Sequence, residues 1–142
     1  MICVRAPLRV GLFGGGTDLP DFFLERGGKA IGFTIKSYIY IQAAEAEINQ
    51  GYKFRLSYKI NEEVNSAEDI IHPIFREVLK KYQFDNPYHF STISNLPSGA
   101  GLGGSSSFTV GLLSLINIIM GLNNENLDLA KQAINIERVI LN

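Results

Sequence analysis

Alternation of apolar and polar residues is the dominant pattern in the first two-thirds of the chain, and it indicates β-strands. Such runs predict strands at residues 2–4, 8–13, 30–35, 38–44, 53–60 and 88–95. The third and fourth runs are rich in β-branched and aromatic side chains, so we expect these two strands to pair with each other.

Apolar residues at helical spacing predict helices at residues 22–26, 67–82, 108–122 and 126–142. Ser66 is expected to cap the second helix, but Pro73 interrupts its first turns and makes a start at that proline the alternative. The third helix is expected to begin near Ser105, directly after a glycine-rich loop. A strand-rich first half and a helical second half predict an α+β fold, with a mainly antiparallel sheet covered by helices.

The composition is that of one globular domain, with 142 residues of which 46% are hydrophobic and 19% are charged. A formal net charge of -1 disfavours a nucleic-acid partner that depends on general positive charge. The N-terminus lacks the features of a signal peptide, and the apolar run at 108–122 is too short and broken to span a bilayer. We therefore expect a cytoplasmic protein without a membrane partner.

Cys3 is the single cysteine, which fits a reducing compartment and excludes an internal disulfide. We expect it to be a small core residue of the first strand. The helical pattern at 126–142 runs to the last residue without a glycine or proline stop, which predicts that the chain is part of something longer. The oligomeric state stays open, a homodimer included.

The stretch PSGAGLGGSSS, residues 97–107, connects the last predicted strand to the long apolar helix. Its glycines allow the backbone to approach a bulky anion closely, and the following helix directs unpaired N–H groups at that anion. The three serines add hydroxyls suited to a phosphate or to its metal ion. This pattern predicts a phosphate-binding loop.

Three alternative roles for the loop fit the sequence less well. Gly99, Gly101 and Gly104 match the dinucleotide-binding fingerprint, but no second strand ending in an acidic residue follows about twenty residues later. A P-loop needs a lysine after its last glycine, and Gly104 is followed by serine. A turn that only joins a strand to a helix would not need so many glycines and serines.

The loop closely resembles the phosphate-binding signature of the GHMP kinases, the family of galactokinase, homoserine kinase, mevalonate kinase and phosphomevalonate kinase. The pattern Pro-x-x-x-Gly-Leu-Gly-x-Ser-Ser is matched without a gap, although many members have a serine in place of Gly104. The resemblance implies a fold like domain 2 of ribosomal protein S5. It also implies that ATP is bound by Pro97, Gly99, Ala100, Gly101, Leu102, Gly103, Gly104, Ser105 and Ser106.

A second motif, APLRVGLFGGGTD at residues 6–18, resembles the sugar-binding motif of the family's sugar kinases. Arg9, Gly14, Thr17 and Asp18 fall in register with that motif without a gap. The resemblance implies that Thr17 and Asp18 hydrogen-bond sugar hydroxyls, and that Arg9 acts catalytically by stabilising negative charge near the attacking oxygen. Gly15 and Gly16 replace larger side chains of the galactokinases and are expected to leave room for a seven-carbon sugar.

A third correspondence is Glu137, which lies late in the second helix after the loop, where family members carry a glutamate that binds Mg²⁺. The implied metal ligands are therefore Ser105 and Glu137. Phosphate oxygens and waters would complete the coordination that Mg²⁺ prefers. Without the other motifs, a glutamate beside Arg138 is typical of a solvated helix surface.

Together the motifs imply an ATP-dependent sugar kinase domain that transfers the γ-phosphoryl group to a hydroxyl of a sugar phosphate. The triglycine motif and His72-Pro73 most resemble the heptose 7-phosphate kinase branch, which implies the anomeric hydroxyl of D-glycero-D-manno-heptose 7-phosphate as acceptor. Arg26, Lys29 and Lys36 are candidates for binding the sugar's own phosphate. The alternatives are a kinase for fucose, galactose or an octose phosphate, and a catalytically inactive ATP-binding fragment.

The resemblance assigns residues 1–142 to the N-terminal domain of the family, whose members are roughly twice as long. It implies that the C-terminal domain is absent, as is an aspartate that many members carry about ten residues beyond the metal-binding glutamate. We therefore expect little or no kinase activity from this chain alone.

The histidines and several aromatic residues are expected to be structural. His72 and His89 are predicted to be surface or capping residues, since no second His or Cys lies at metal-ligand spacing. Core or sheet packing is expected for Phe22, Phe23, Tyr38 and Tyr40.

Overall fold

The computed structural model describes residues 1–97 and 99–140. The strands and α-helices in these ranges are β1 (Ile2–Phe13), α1 (Pro20–Arg26), β2 (Ile31–Glu45), β3 (Phe54–Ser57), β4 (Asn61–Val64), α2 (Pro73–Leu79), β5 (Tyr88–Ser94), α3 (Gly104–Ile119) and α4 (Asn126–Asn135). A 3-10 turn (Ala67–Asp69) precedes α2, and a π-helical turn (Ile136–Ile140) continues α4. Ser98 in the predicted phosphate loop and residues 141–142 of the last predicted helix lie outside the described residues.

The described strands form one sheet in the order β1-β2-β5-β3-β4. Neighbouring strands are antiparallel except for β3 and β5, which are parallel. Helix α3 packs against β1 and β2, and α2 and α4 pack against α3. The predicted α+β fold, with a mainly antiparallel sheet covered by helices, is confirmed. Within the described ranges, no helix has the length and apolar character needed to cross a bilayer.

Strands β1 and β2 are longer than predicted, because each joins two predicted runs. The prediction that residues 30–35 pair with 38–44 is wrong, since the two runs lie along one strand and both pair with β1. The two residues between the runs, Lys36 and Ser37, are not one of the glycine-containing pairs that two-residue hairpin turns favour. Pro7 does not end β1, because β1 lies at the sheet edge, where a strand tolerates a missing N–H.

The predicted strand at 53–60 is instead the first half of a hairpin. β3 ends at Ser57, and the chain reverses where the Tyr58 N–H donates to the Ile60 carbonyl at 3.0 Å. β4 then returns antiparallel to β3. The alternation pattern does not reveal β4, because its four residues NEEV are mostly polar.

Helix α2 begins at Pro73, the later of the two predicted starts. Ser66 caps the separate 3-10 turn before it, where its Oγ accepts from the Glu68 N–H at 3.4 Å. His72 caps α2 itself, because its Nδ1 accepts from the Phe75 N–H at 3.4 Å. The predicted capping role of His72 is therefore confirmed.

The core lies between the sheet and the helices. Fully buried residues from both layers include Ile41, Leu56, Phe75, Phe90, Leu112, Leu113 and Ile116. Phe75 is central to the aromatic packing, with ring centroids 5.1 Å from that of Phe108 and 5.9 Å from that of Phe90. Such edge and tilted contacts add to the stabilisation from apolar burial.

Gly111 sets how closely α3 approaches the sheet. A Cβ at this position would lie 2.7 Å from Ile41 Cδ1 and 3.2 Å from Ala6 Cβ, so a side chain here would require either Ile41 or the helix to shift. The close approach fixes the height of the α3 N-terminus above β1. The position of the glycine-rich loop follows from it.

The prediction that Cys3 is a core residue is wrong, since Cys3 is exposed. β1 alternates, and its even-numbered residues Ala6 and Leu8 are the buried ones. Side chains at odd positions point to the opposite face of the sheet. Cys3 therefore lies on the face that the helices do not cover.

The aromatic predictions are confirmed on the sheet but not in α1. The rings of Tyr38 and Tyr40 pack on β2 with centroids 6.2 Å apart. Phe22 and Phe23 are 38% and 39% exposed, because α1 buries none of its residues. Other large apolar side chains exposed near α1 and the adjoining end of the β1–β2 pair are Leu12, Phe13, Leu19, Leu24, Ile31 and Phe33.

Candidate functional site

The loop between β5 and α3 is shaped by three glycines with left-handed backbone. Gly99, Gly101 and Gly103 have φ values of 82°, 71° and 68°, which residues with a Cβ rarely adopt. The other described residues of the loop have negative φ, and turns that contain left-handed residues can direct successive N–H groups at an anion. The loop opens directly into α3, whose first N–H groups have no partner within the helix.

Strand β1 holds this loop in place. The Arg9 N–H donates to the Leu102 carbonyl at 3.0 Å, and Ser107 Oγ donates to the Pro7 carbonyl at 2.8 Å. The Arg9 side chain also lies across the loop, because a Cβ at Gly103 would be 2.8 Å from Arg9 Cγ. The predicted catalytic arginine therefore lies beside the predicted phosphate loop, although the two are far apart in sequence.

The two predicted metal ligands are in direct contact at the start of α3. Ser105 Oγ donates to Glu137 Oε1 at 2.7 Å, and Ser106 Oγ donates to Glu137 Oε2 at 2.9 Å. Thr109 Oγ1 lies 3.2 Å from the same carboxylate. In the described ranges no three His, Cys, Asp or Glu side chains converge to hold a metal, so a cation here would draw other ligands from its own substrates or from water.

The predicted sugar loop forms a second compact turn after β1. Thr17 Oγ1 contacts the carbonyl oxygens of Gly14 and Lys29, each at 2.9 Å, and Asp18 Oδ1 accepts from the Gly16 N–H at 3.0 Å. Gly14 has a φ of 93°, and a Cβ there would lie 2.1 Å from the Lys29 carbonyl oxygen. Only glycine fits at this position.

Space in the sugar loop is available at Gly15 and Gly16, where no atom lies within 4 Å of an added Cβ. Asp18 is exposed, while the Thr17 hydroxyl is already engaged with backbone carbonyls. The roles of these four residues in sugar binding stay predictions.

The three candidate cations for a sugar phosphate are placed differently. Lys29 directly adjoins the sugar loop through the contact between its carbonyl and Thr17. Arg26 lies in the last turn of α1, which follows that loop. Lys36 lies on β2, opposite the register shift between Pro7 and Arg9. Only Lys29 has a described contact with the loop.

A cavity of about 510 Å³ lies between the glycine-rich loop, the sheet and the start of α2. Its walls are largely apolar and include Leu8, Ile39, Tyr58, His72, Ile74, Leu96 and Phe108. Thr92 from β5 also lines it, and in the described part of the chain its buried Oγ1 has no hydrogen-bond partner. The cavity can therefore take a flat apolar group that offers a hydrogen-bonding atom to Thr92.

Glu62 on β4 is buried and organises one wall of this cavity. Its carboxylate accepts hydrogen bonds from the Tyr58 hydroxyl at 2.5 Å and from the Ile71 N–H at 2.6 Å. Burial, reinforced by the hydrogen bond to Glu62, raises the pKa of Tyr58 above its ordinary value. Burial lowers the pKa of His72, and the nearby Glu62 charge opposes that shift only partly.

This cavity is not among the features predicted from the sequence, where Tyr58 is placed in an ordinary strand and His72 at a helix cap. The available signal is along β5, where the inward positions change from Phe90 to Thr92 and Ser94 as the strand nears the loop. Because alternate residues of a strand share a face, this pattern places the hydroxyls of Thr92 and Ser94 on the same side as Phe90.

The family described as GHMP kinases N terminal domain matches the chain over residues 69–142, just over half of its length. The chain belongs to the GHMP kinase family. The matched region contains the glycine-rich loop and Glu137, so the family predicted from the sequence motifs is confirmed.

Two curated relatives align with nearly all of this GHMP kinase chain. D-glycero-alpha-D-manno-heptose 7-phosphate kinase of Campylobacter jejuni is 31% identical over 147 residues, which cover 96% of this chain and 43% of that protein. Galactokinase of Thermosipho africanus is 34% identical over 137 residues, which cover 90% of this chain and 36% of that protein. The chain spans less than half the length of either relative.

Solved structures share the fold. A D-glycero-D-manno-heptose 1-phosphate kinase from Bacteroides thetaiotaomicron superposes with a TM-score of 0.85 at 24% identity, covering 99% of this chain and 49% of that one. Lactococcus lactis galactokinase complexed with galactose gives a TM-score of 0.70 at 19% identity, covering 95% of this chain and 37% of that one. These likenesses confirm the GHMP kinase fold that the sequence predicts.

The left-handed glycine beside Arg9 predicts a stability difference between two neighbouring substitutions. Gly103→Ala should lower the free energy of unfolding by about 1–3 kcal/mol, because the new Cβ meets Arg9 and the positive φ is strained. The matched variant Gly104→Ala has free space and helical backbone, so it should leave stability unchanged or slightly higher. Urea unfolding of both variants measures the difference. Equal effects would contradict the described loop geometry.

The lowered pKa of His72 predicts that stability falls on acidification. The unfolded chain takes up a proton near the ordinary value of 6.5, whereas the folded state resists it, so stability is lost as pH decreases below that value. His72→Asn keeps a capping acceptor but removes the titrating group. It should therefore reduce the loss of unfolding free energy as the pH falls below the ordinary histidine value. Urea unfolding as a function of pH measures the slope. A slope unchanged in His72→Asn would rule out His72 as its source.

Proposed function

We propose that the chain is the ATP- and sugar-binding part of a GHMP kinase that transfers the γ-phosphoryl group of ATP to a hydroxyl of a sugar phosphate. The observation that carries this proposal is the contact of the Glu137 carboxylate with the hydroxyls of Ser105 and Ser106. This contact puts oxygen ligands, which a divalent cation requires, next to a glycine-rich loop and a helix N-terminus. The loop and the helix N-terminus are the groups that bind a phosphate chain.

The loop residues fit the phosphates of ATP. The left-handed glycines at 99, 101 and 103 keep the backbone free of side chains on the side where an anion would approach. The dipole of α3 adds positive potential at the same place. Ser105 and Glu137 would hold Mg²⁺ together with phosphate oxygens. When bound, Mg·ATP supplies the transferable phosphoryl group and neutralises part of its charge.

The cavity beside the loop is suited to the base of the nucleotide. It is apolar, adjoins Gly99–Ser105 directly, and has room for a flat aromatic ring. The unpartnered Thr92 hydroxyl offers a hydrogen bond to a ring or exocyclic nitrogen. Tyr58 and His72, held by Glu62, would form the wall against which the base packs.

Arg9 and the sugar loop supply the acceptor side of the reaction. Arg9 lies against the glycine-rich loop, where its guanidinium would stabilise negative charge that develops on the attacking oxygen. Asp18 is exposed beside the open positions Gly15 and Gly16 and would orient sugar hydroxyls. Orientation and charge stabilisation are the main contributions expected of a protein in phosphoryl transfer.

The substrate we propose is D-glycero-D-manno-heptose 7-phosphate, phosphorylated at its anomeric hydroxyl in the cytoplasm. Support comes from the Campylobacter jejuni heptose 7-phosphate kinase, at 31% identity, and from the room at Gly15 and Gly16. The second candidate is galactose, since a galactokinase is 34% identical to this chain. The two sugars differ in a phosphate group, which gives an experimental distinction.

We further propose that residues 1–142 act as an N-terminal domain. The relatives extend well beyond the aligned region, which covers 43% and 36% of their lengths. Full catalysis would then need groups from the rest of such a protein, and the isolated chain would bind ligands with little turnover. Ligand binding is therefore the direct measurement for this chain.

The proposed metal site predicts that Glu137→Gln weakens binding of Mg²⁺ with the non-hydrolysable ATP analogue AMPPNP by about tenfold or more, since a charged oxygen ligand is lost. Calorimetric titration measures the change, and omission of Mg²⁺ should reduce the difference between variant and wild type. Glu63→Gln removes a glutamate from an exposed ion pair with Arg55 and serves as the matched control. If the wild-type chain fails to bind the Mg²⁺–AMPPNP complex, the proposed function is wrong.

The proposed substrate predicts tighter binding of heptose 7-phosphate than of galactose or unphosphorylated heptose. Lys29→Ala should weaken binding of the phosphorylated heptose about tenfold, because a charged partner of its phosphate is lost. Binding of the unphosphorylated heptose should not change. Lys59→Ala, at the exposed β3–β4 turn, is the control. Titration calorimetry in the presence of Mg²⁺ and AMPPNP makes the comparison. Equal weakening of both heptoses would remove Lys29 from the phosphate site, and tighter galactose binding would favour a galactokinase.

A further inference from the structure

Arg138 reaches the sugar loop from the residue next to Glu137. Its Nη1 donates to the Asp18 carbonyl oxygen at 2.7 Å, and its Nη2 lies 3.7 Å from Asp18 Oδ2. The other carboxylate oxygen of Asp18 accepts from the Gly16 N–H. Asp18 is therefore held between its own loop and an arginine from the opposite end of the chain.

The π-helical turn places these two neighbours in different sites. Within Ile136–Ile140, Glu137 contacts the start of α3 whereas Arg138 contacts the sugar loop. Ile136 is fully buried and fixes the turn to the core. Single π turns within helices are uncommon and often occur at functional sites, because the wider turn redirects side chains.

Side-chain contacts of Glu137 and Arg138 connect the two proposed sites. Glu137 bonds to the serines where the metal is proposed to bind, so recruitment of the carboxylate by a cation must change those bonds. Any resulting shift of the turn reaches Asp18 through Arg138, one residue away. The sugar loop has its own internal bonds at Thr17 and Gly14, so it can persist without this contact.

We propose that Arg138 is a positioning residue that couples the sugar loop to the metal-binding carboxylate. The coupling to ligands rests on the proposed kinase function, but the mechanical connection between Glu137 and Asp18 does not. Because coupling between two binding equilibria is reciprocal, Mg²⁺–nucleotide should tighten sugar binding by the same factor as the sugar tightens nucleotide binding. A contact that only stabilised the fold would change both affinities without changing this factor.

Hydrogen exchange on the ligand-free chain tests the connection itself. Arg138→Ala should speed amide exchange in residues 14–19 about threefold or more, the effect of losing one net hydrogen bond. Glu137→Ala should also speed it, because the turn is released, but should add nothing when Arg138 is already alanine. Lys131→Ala, an exposed cation on α4, is the matched control and should leave this segment unchanged. Independent, multiplicative effects of the two substitutions on the exchange rates would overturn the proposal.

Calorimetry then tests the consequence for ligands. The ratio of heptose 7-phosphate dissociation constants without and with Mg²⁺–AMPPNP should be about fivefold in the wild-type chain, near one in Arg138→Ala, and intermediate in Arg138→Lys. A wild-type ratio retained in Arg138→Ala would overturn the coupling role. A wild-type chain that binds neither ligand would refute the proposed function, and the exchange measurement would still decide whether Arg138 connects the two loops.

Discussion

The close approach of α3 to the sheet is the constraint on which the site depends. Gly111 leaves space for Ile41 and Ala6, so the helix lies low on β1 and β2. At its N-terminus the same closeness brings the glycine-rich loop against Arg9, and the Ser107 hydroxyl bonds to β1. The backbone of the glycine-rich loop is therefore held against strand β1 and is not a free surface loop.

Groups of opposite charge lie close together at the N-terminus of α3. The backbone amides and the dipole of α3 present positive potential, while Glu137 brings a negative charge close to the same helix end. The hydroxyls of Ser105 and Ser106 donate to the carboxylate, and the Thr109 hydroxyl lies beside it. The oxygen ligands proposed for a cation are therefore already close together, although their mutual hydrogen bonds must change when a cation binds.

Local patterns and distant contacts differed in how well the sequence predicted them. The glycine-rich loop and the start of α2 were predictable, since both depend on neighbouring residues such as Pro73. The exposure of Cys3 was not predictable, because it depends on which face of β1 the helices cover. The cavity beside the glycine-rich loop and the contact of Arg138 with Asp18 join elements far apart in the chain. A single sequence holds no signal for such pairings beyond the hydroxyl positions on β5.

The exposure of Cys3 matters for chemical labelling and for handling the protein. It is the single thiol of the chain, and it lies exposed near the start of the edge strand, on the face away from the helices. A fluorophore or spin label can therefore be attached at one defined place without engineering, on the same strand that later carries Arg9. The same accessibility allows two molecules to cross-link through oxidation, so preparations of this chain need a reductant.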